Sequence, residues 1–565
     1  MKREGAKKRV VKKQRQQWRL IHFLGISAVI TGICTGLYFG EAFSRLFREE
    51  RENGIVVNGS PIFQEALLPC LETYDSLKSC FRDSLSLPAS AENLLPKSVF
   101  FISEALKIQT VNGNFTRFAN WLSEKFPLIH QHYVRTVVNE FSLVFESPSI
   151  GSSNNWLFYG HMDVVPGGDS TSWFRGDPFS GYIQVNTDGA TRDGTIYGRG
   201  ALDMKSHIVT FMLVIESALE NCDGKMTCIN GIVKGWTIAL GHDEEIGGWN
   251  GASRIARYFE EKGRWFDGII DEGVPAIQGS ILAPFMTRVI ASISVAERGS
   301  LKVKVSLDAG GGHSSIQKWH DNPINIMHTA LECVQSRFPF PVHPLSEPTR
   351  DSMKMLLFPS WLLENKSFTW VYETFGIDFL VNSLLYYASP FLQPLMSSSM
   401  AVSHFSSGSP NIQNVIPTKA QVLLDIRIHP ADSVAGIQSH LETAFSSCLK
   451  KSKNFEMEFF TDSAMEPSPV SSYKDDPEFQ RIGKILASST FEEKKVIVVP
   501  FLMVGATDTR HLIGRMRNRN QSHAFRISPF LISTKSDIGL IHGINESISF
   551  SNIQRFLHFY SNLIK

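Results

Sequence analysis

The chain has 565 residues, 43% of them hydrophobic and 20% charged, with 56 Lys and Arg against 55 Asp and Glu and a formal net charge of +1. That composition excludes a disordered or collagen-like chain, and the length suits roughly two to four domains with buried cores. The charge is unevenly placed: the first 19 residues hold nine Lys or Arg and one acid, Glu4, so this segment carries +8 and the remainder −7, and an acidic body offers no concentrated positive field for nucleic acid.

Behind the basic tail (1–19), residues 20–40 (LIHFLGISAVITGICTGLYFG) contain no Lys, Arg, Asp or Glu. As a helix rising about 1.5 Å per residue, such a stretch spans roughly 31 Å, the thickness of a bilayer core. A globular helix rarely lacks a polar face altogether. A cleaved signal peptide has a shorter apolar stretch and a small-residue cleavage site, and Gly36-Leu37-Tyr38-Phe39-Gly40 makes a poor one. The expectation is therefore an uncleaved transmembrane signal anchor. By the positive-inside rule the tail stays cytosolic and everything after about residue 41 is lumenal or extracellular. Residues 41–94 read as a lumenal stalk and N-terminal segment, polar at its start (SRLFREERENG).

Of seven Cys, Cys34 lies in the apolar stretch and six follow it: Cys70, Cys80, Cys222, Cys228, Cys333 and Cys448. An even number in an oxidising compartment allows three disulfides. Short loops favour Cys70–Cys80 and Cys222–Cys228, leaving Cys333–Cys448, with free buried thiols as the alternative. N-glycosylation sequons, the mark of a glycoprotein, stand at Asn58, Asn114, Asn365, Asn520 and Asn545, each weak alone.

From Trp156 onward, short β-rich runs alternate with helical patterns. NWLFYGHMDVV predicts a strand, SHIVTFMLVIESALE a helix over 206–220, WTIALGHDEE a strand ending in acids, SRIARYFEEKGR a helix, and FDGIIDEG another strand ending in acids. Such alternation implies an α/β layer with a mostly parallel sheet, whose ligands bind beyond the carboxyl ends of the strands. From about Val295 the texture changes: GSLKVKVSLDAGG and KAQVLLDIRIHP alternate like antiparallel strands, NFEMEFFTD adds a third, and helices are predicted over 323–336 and 432–449. This is a smaller α+β domain inserted in the first. The predicted organisation is a catalytic domain in two parts, 95–294 and 466–565, interrupted by a lid over 295–465. Within the lid, residues 350–400 form an aromatic-rich insertion that reads as lid core, an acyl-binding surface or a membrane-docking surface.

Five elements carry chemistry: His161-Met162-Asp163, Asp203, Glu244-Glu245, Asp271 and His542. Singly each has a bland reading, as a surface loop, a helix cap or a solvated acidic face. Together, at successive strand ends, two His and shared carboxylates suit a pair of borderline divalent cations, above all zinc. No G-x-S-x-G elbow of a serine hydrolase is present.

The stretches YGHMDVVP, IYGRGALDMK, ALGHDEEIGG, IDEG, VAERGSLKVKV, GGGHSS, NVIPTKAQVLLDIRIHP, GATDTRH and IHGINESIS run in order over roughly residues 95 to 565. In them the chain resembles the dinuclear zinc metallopeptidase family of aminoacylase, carboxypeptidase G and vacuolar carboxypeptidase S, and in particular the branch of the N-fatty-acyl-amino acid synthase/hydrolases. The resemblance implies two Zn2+ per chain, one on His161 and Asp271, the other on His542 and Glu245, with Asp203 bridging them. It implies Glu244 as general base, Asp163 as the carboxylate that orients His161, and a cis peptide at Asp203–Met204. His313 in GGGHSS would be the lid histidine that stabilises the oxyanion, often in a partner subunit's site, so a homodimer through the lid is expected. Arg427 or Arg510 would bind a substrate carboxylate, or serve as structural arginines. Val274 and Gln317 depart from the family pattern without touching a ligand. The implied activity is hydrolysis, with formation as its reverse, of the amide bond of N-acyl amino acids or small peptides with a free carboxylate. The alternatives are a vacuole- or lysosome-type carboxypeptidase and a catalytically silent receptor or scaffold on the same fold.

Overall fold

In a computed structural model of the chain, residues 94–565 are described except 112, 149–154, 186–193, 283–287, 317–320, 359–361, 363–364, 389–391, 409–413, 450–453, 491–495 and 518–521. The expected tail and anchor (1–40), the stalk residues 41–93 with Cys70 and Cys80, and the sequons Asn58 and Asn520 lie outside the described residues. No helix among the described residues is long and apolar enough to cross a membrane.

The strands, in chain order, begin with β1 (Val134–Val138), β2 (Ser142–Glu146), β3 (Trp156–His161), β4 (Tyr182–Val185), β5 (Gly194–Tyr197) and β6 (Trp236–Gly241). There follow β7 (Gly268–Gln278), β8 (Val289–Glu297), β9 (Gly299–Asp308), β10 (Gly312–His313), β11 (Ser399–Ser407) and β12 (Val415–Ile416). The last are β13 (Lys419–Ile428), β14 (Phe455–Phe459), β15 (Val496–Met503), β16 (Ala524–Ile532) and β17 (Ser547–Ser549).

Eight strands form the central sheet in the order β1-β2-β6-β3-β7-β16-β8-β15. The run β6-β3-β7-β16 is parallel, as is β8 with β15, while β1 and β2 add antiparallel strands at one edge. The middle strands are covered on both faces, which is why they read as continuous apolar runs and not as alternation. On one face the helix Lys205–Glu220 stacks Phe211 on Phe158 of β3 at 3.9 Å between ring centroids, and Tyr560 of the C-terminal helix Phe550–Leu563 closes edge-on against both rings. These three side chains are buried, and truncating such a Phe to Ala typically costs about 3–5 kcal/mol. The last residues of the chain thereby hold the helix that carries Asp203 at its start.

The second sheet is antiparallel, in the order β11-β13-β9-β14. Its central strand β13 alternates buried and partly exposed residues, because one face is covered by the helices Pro323–Arg337 and Val434–Cys448. A disulfide, Cys333–Cys448, joins those two helices, and Cys222–Cys228 closes the loop after Glu220. The edge strand β11 was not expected: SMAVSHFSS is largely exposed and carries a bulge at Val402–His404, so it has no apolar alternation to betray it.

The insertion over 350–400 contains the helices Thr349–Leu357, Lys366–Thr374 and Ile377–Ala388. It is not the core of the antiparallel layer. Met353, Leu395 and Met396 form a separate small core with Ala296 of β8 and Leu502 of β15, and Ser352 hydrogen-bonds the Pro500 carbonyl. The insertion therefore packs on the edge strand of the central sheet.

Candidate metal centre

His161 is the last residue of β3, and its ring is held from behind by the main-chain carbonyl of Asp163, 3.0 Å from Nδ1. Nε2 then faces forward, 2.9 Å from Asp203 Oδ1 and 3.5 Å from Glu272 Oε1. Asp203 lies in the turn before the helix Lys205–Glu220, next to a cis Asp203–Met204 peptide as the resemblance implied. Its other oxygen, Oδ2, is 3.0 Å from His542 Nε2, and His542 Nε2 is 3.2 Å from Glu245 Oε2. His542 stands in the loop before β17 with a left-handed backbone, φ 59°. One carboxylate thus offers an oxygen to each of two three-residue groups: His161–Asp203–Glu272 and Asp203–Glu245–His542.

Glu272 occupies the place that the sequence reading gave to Asp271. Asp271 is turned the other way: its Oδ2 accepts from Thr509 N (3.2 Å) and Oγ1 (2.7 Å), and its Oδ1 from the amide of Glu272 (2.8 Å). The reason lies in the register of β7 against β16. Asp271 pairs with Arg526, but the next partners are Pro275 and Ser528, so β7 spends extra residues between them. Such a bulge re-aims side chains, and neighbouring residues on a strand point to opposite faces. Gly273 makes the bulge possible, since a Cβ there would lie 2.3 Å from the Arg526 carbonyl.

Asp163 was expected to orient His161 with its carboxylate. The main-chain carbonyl does that more closely; the carboxylate stands 3.5 Å from Nδ1 and accepts instead from the amides of Glu244 (3.1 Å) and Glu245 (3.0 Å). Asp243 caps the same turn from its other side, accepting from Asn250 N and Gly251 N. The loop that presents both glutamates is therefore clamped by two carboxylates.

Three supporting groups were missed by sequence reasoning. Glu546, four residues after His542 and fully buried, accepts from the amides of Gly200, Leu202 and Asp203 and pairs with Arg199 at 2.6 Å. Arg199 also donates to the His542 carbonyl at 3.1 Å, which ties the two metal-facing loops together. Asp508, in the GATDTRH stretch, accepts from the Tyr159 hydroxyl at 2.5 Å. Their signal was their place inside quoted motifs.

The electrostatics follow from crowding acids in a half-buried cleft. Burial, then neighbouring Asp508, Glu272 and Asp203, pushes Glu244 well above the usual carboxylate range. Burial and Asp203 do the same to Glu272, and burial takes Asp508 to about 7. Burial works against a charged His161, yet Glu272, Asp163 and Asp203 raise it well above 6.5; hydrogen bonds to Asp203 and Glu245 raise His542 to about 10. Burial likewise works against an ionised Asp203, but its bonds to the two histidines hold it well below 3.8. The donor set fits two divalent cations. Each group offers imidazole nitrogen and carboxylate oxygen, the ligands borderline metals take, and bound cations would relieve the repulsion that lifts Glu244 and Glu272.

His313 is exposed on the β10–β12 ribbon, its Nδ1 2.7 Å from Ser315 Oγ. Arg427, on β13, pairs with Asp425 at 3.2 Å. Arg510 follows Asp508 by two residues, and its Nε is buried with no hydrogen-bond partner. Asn545 accepts from the Phe174 amide at 2.6 Å, while Asn114 and Asn365 are exposed.

The profile of peptidase family M20/M25/M40 matches residues 157–565. A probable carboxypeptidase S-like protein of Dictyostelium discoideum is 29% identical over 481 residues, covering 83% of this chain and 82% of the relative. The N-fatty-acyl-amino acid synthase/hydrolase of Bos taurus is 28% identical over 445 residues, covering 76% and 78%. Among solved structures, an M20 family metallo-carboxypeptidase from Sulfolobus solfataricus superposes with a TM-score of 0.56 at 17% identity, over 83% of this chain and 99% of its own, a likeness of fold.

Proposed function

We propose that this chain, which belongs to peptidase family M20/M25/M40, is a dinuclear zinc hydrolase of amide bonds in N-acyl amino acids or small peptides that carry a free carboxylate. The observation that carries this reading is Asp203, whose two oxygens face His161 and His542, with Glu244 on the adjoining turn. His161, Asp203 and Glu272 would hold one ion, and Asp203, Glu245 and His542 the other. Bound there, zinc supplies Lewis acidity at the scissile carbonyl and lowers the pKa of water.

The chain's own residues supply the rest. Glu244, raised by burial and its acidic neighbours, is matched to take a proton from the attacking water and return it to the leaving amine. Asp163 and Asp243 keep that glutamate in place through the backbone of its turn. Arg510 is favoured over Arg427 for the substrate carboxylate, because Arg427 is already paired with Asp425 whereas Arg510 has a buried unpartnered Nε. His313 serves the oxyanion from a partner subunit in a lid-mediated dimer. The N-acyl amino acid substrate is supported by the similarity to N-fatty-acyl-amino acid synthase/hydrolases. The carboxypeptidase S-like relatives support peptide cleavage as the second reading. The basic leader, the apolar stretch over 20–40 and two disulfides support a single-pass protein with its catalytic part lumenal or extracellular.

The test is turnover of a mixed library of N-acyl amino acids and dipeptides, followed by mass spectrometry with and without a chelator, alongside metal analysis. The reading expects about two zinc ions per chain and chelator-sensitive cleavage at the acyl–amino acid bond. A metal-free chain with no turnover of either class would overturn it.

A further inference from the structure

The helix Ile377–Ala388 packs Leu385 and Tyr386 against the small core of the insertion, yet it is apolar on its outward side as well. Its inward face carries Asp378 and Asn382, 5% and 1% exposed, and Asn382 Nδ2 donates to the Pro344 carbonyl at 2.8 Å. Its outward face carries Phe379, Leu380, Leu384 and Tyr387, the last 79% exposed. Leu380, Leu384 and Tyr387 follow one another at helical spacing and form one stripe. The preceding helix extends the same apolar surface with Trp370 (62% exposed) and Phe375, whose rings meet edge-on. From Trp370 to Tyr387 the only acids are Asp378, which is buried, and Glu373, which is paired with Lys354 at 2.9 Å, and no Lys or Arg occurs.

A surface helix normally points its apolar face at the core. Contiguous outward apolar surface marks an interaction site, and here it remains exposed after Leu385 and Tyr386 have already met the core. Trp and Tyr flanking aliphatic residues is the composition of the bilayer interface. The same chain carries the uncharged membrane-length stretch over 20–40 behind nine cations. We infer that the hairpin Lys366–Ala388 docks on a lipid bilayer, immersing Trp370, Phe375, Phe379, Leu380, Leu384 and Tyr387 in its interfacial layer. This inference is independent of the substrate reading, since it concerns a surface remote in sequence from the metal-facing residues. It has a consequence for that reading: the insertion would hold the enzyme where amphiphilic substrates partition.

The experiment uses the full-length protein reconstituted in phosphatidylcholine vesicles with or without acyl-chain-brominated lipid. The emission lost between wild type and Trp370→Phe isolates Trp370 from the other tryptophans. Docking expects bromolipid to quench that component at least twofold, with little quenching by aqueous iodide. The double variant Leu380→Ser/Leu384→Ser, altered only at exposed positions, should lose the bromolipid quenching of Trp370 while its melting temperature is unchanged. If iodide quenches the component and bromolipid does not, the face lies in water. If neither quenches it, the face is covered by protein, such as a second copy. Either result overturns the inference.

Discussion

The carboxylate of Asp163, two residues after His161, spans the main-chain amides of Glu244 and Glu245, at 3.1 and 3.0 Å. One side chain after β3 thus sets the height of the turn after β6, and so the separation between an imidazole on one strand and two glutamates on the next. A carboxylate accepting two amides is a strong, directional clamp, and it needs no contact with metal or substrate.

Replacing Asp163 with Ala removes both acceptors and leaves two turn amides without partners. His161 keeps its main-chain hydrogen bond to residue 163, so the imidazole stays in place. Zinc affinity, measured by competition with a chromophoric chelator, is expected to fall about 10–100-fold, the usual effect of losing a supporting partner. Unchanged affinity and turnover would show that the clamp is dispensable.

The exchange of Asp271 for Glu272 is decided by metal counting. Glu272→Ala is expected to bind about one zinc per chain and to lose activity at least 100-fold. Asp271→Asn, which keeps an acceptor for Thr509, is expected to bind two, with a loss of about tenfold or less. The opposite pattern would return the ligand role to Asp271.

Glu244→Gln keeps the size of the side chain and removes its basicity. Both zinc ions should stay bound while kcat falls about 10²–10⁴-fold, the range attributed to general acid–base catalysis, with little change in KM. Loss of metal in this variant would make Glu244 a ligand and not a base.

His429 gives a pH dependence away from the metal centre. The ring is fully buried, its Nδ1 accepts from the Ala431 amide, its Nε2 lies 3.1 Å from Ser346 Oγ, and it stacks on His343 at 5.0 Å. Burial, then His343 and Arg298, lowers its pKa to about 4. The unfolded chain binds the proton more readily than the folded one. Stability from this residue is therefore complete above pH 6.5 and is lost as the pH falls from 6.5 towards 4, by about 3 kcal/mol over the whole interval. In metal-free protein, the denaturant midpoint should drop between pH 7 and pH 4.5, and His429→Asn should flatten that drop. A variant with the wild-type slope would assign the acid sensitivity elsewhere.

Much of this protein is written in its sequence because local physics suffices to express it. The apolar runs of β3, β6 and β7 declare strands buried on both faces, and the alternation of KAQVLLDIRI declares a strand covered on one face by helices. Acids and histidines at the ends of such strands mark a metal site before any distance is known. The tertiary structure alone decided which of two adjacent acids, Asp271 or Glu272, faces His161, because that depends on a bulge seated against Arg526 of a strand some 250 residues away. It alone joined Asp163 to the Glu244–Glu245 turn and Glu546 to the Asp203 loop, as carboxylate-to-amide bonds across long separations leave no periodic trace. It also showed that Ile377–Ala388 buries Asp378 and Asn382 while leaving Phe379, Leu380, Leu384 and Tyr387 exposed. Composition reports how amphipathic a helix is, and only its packing reports which side faces the protein.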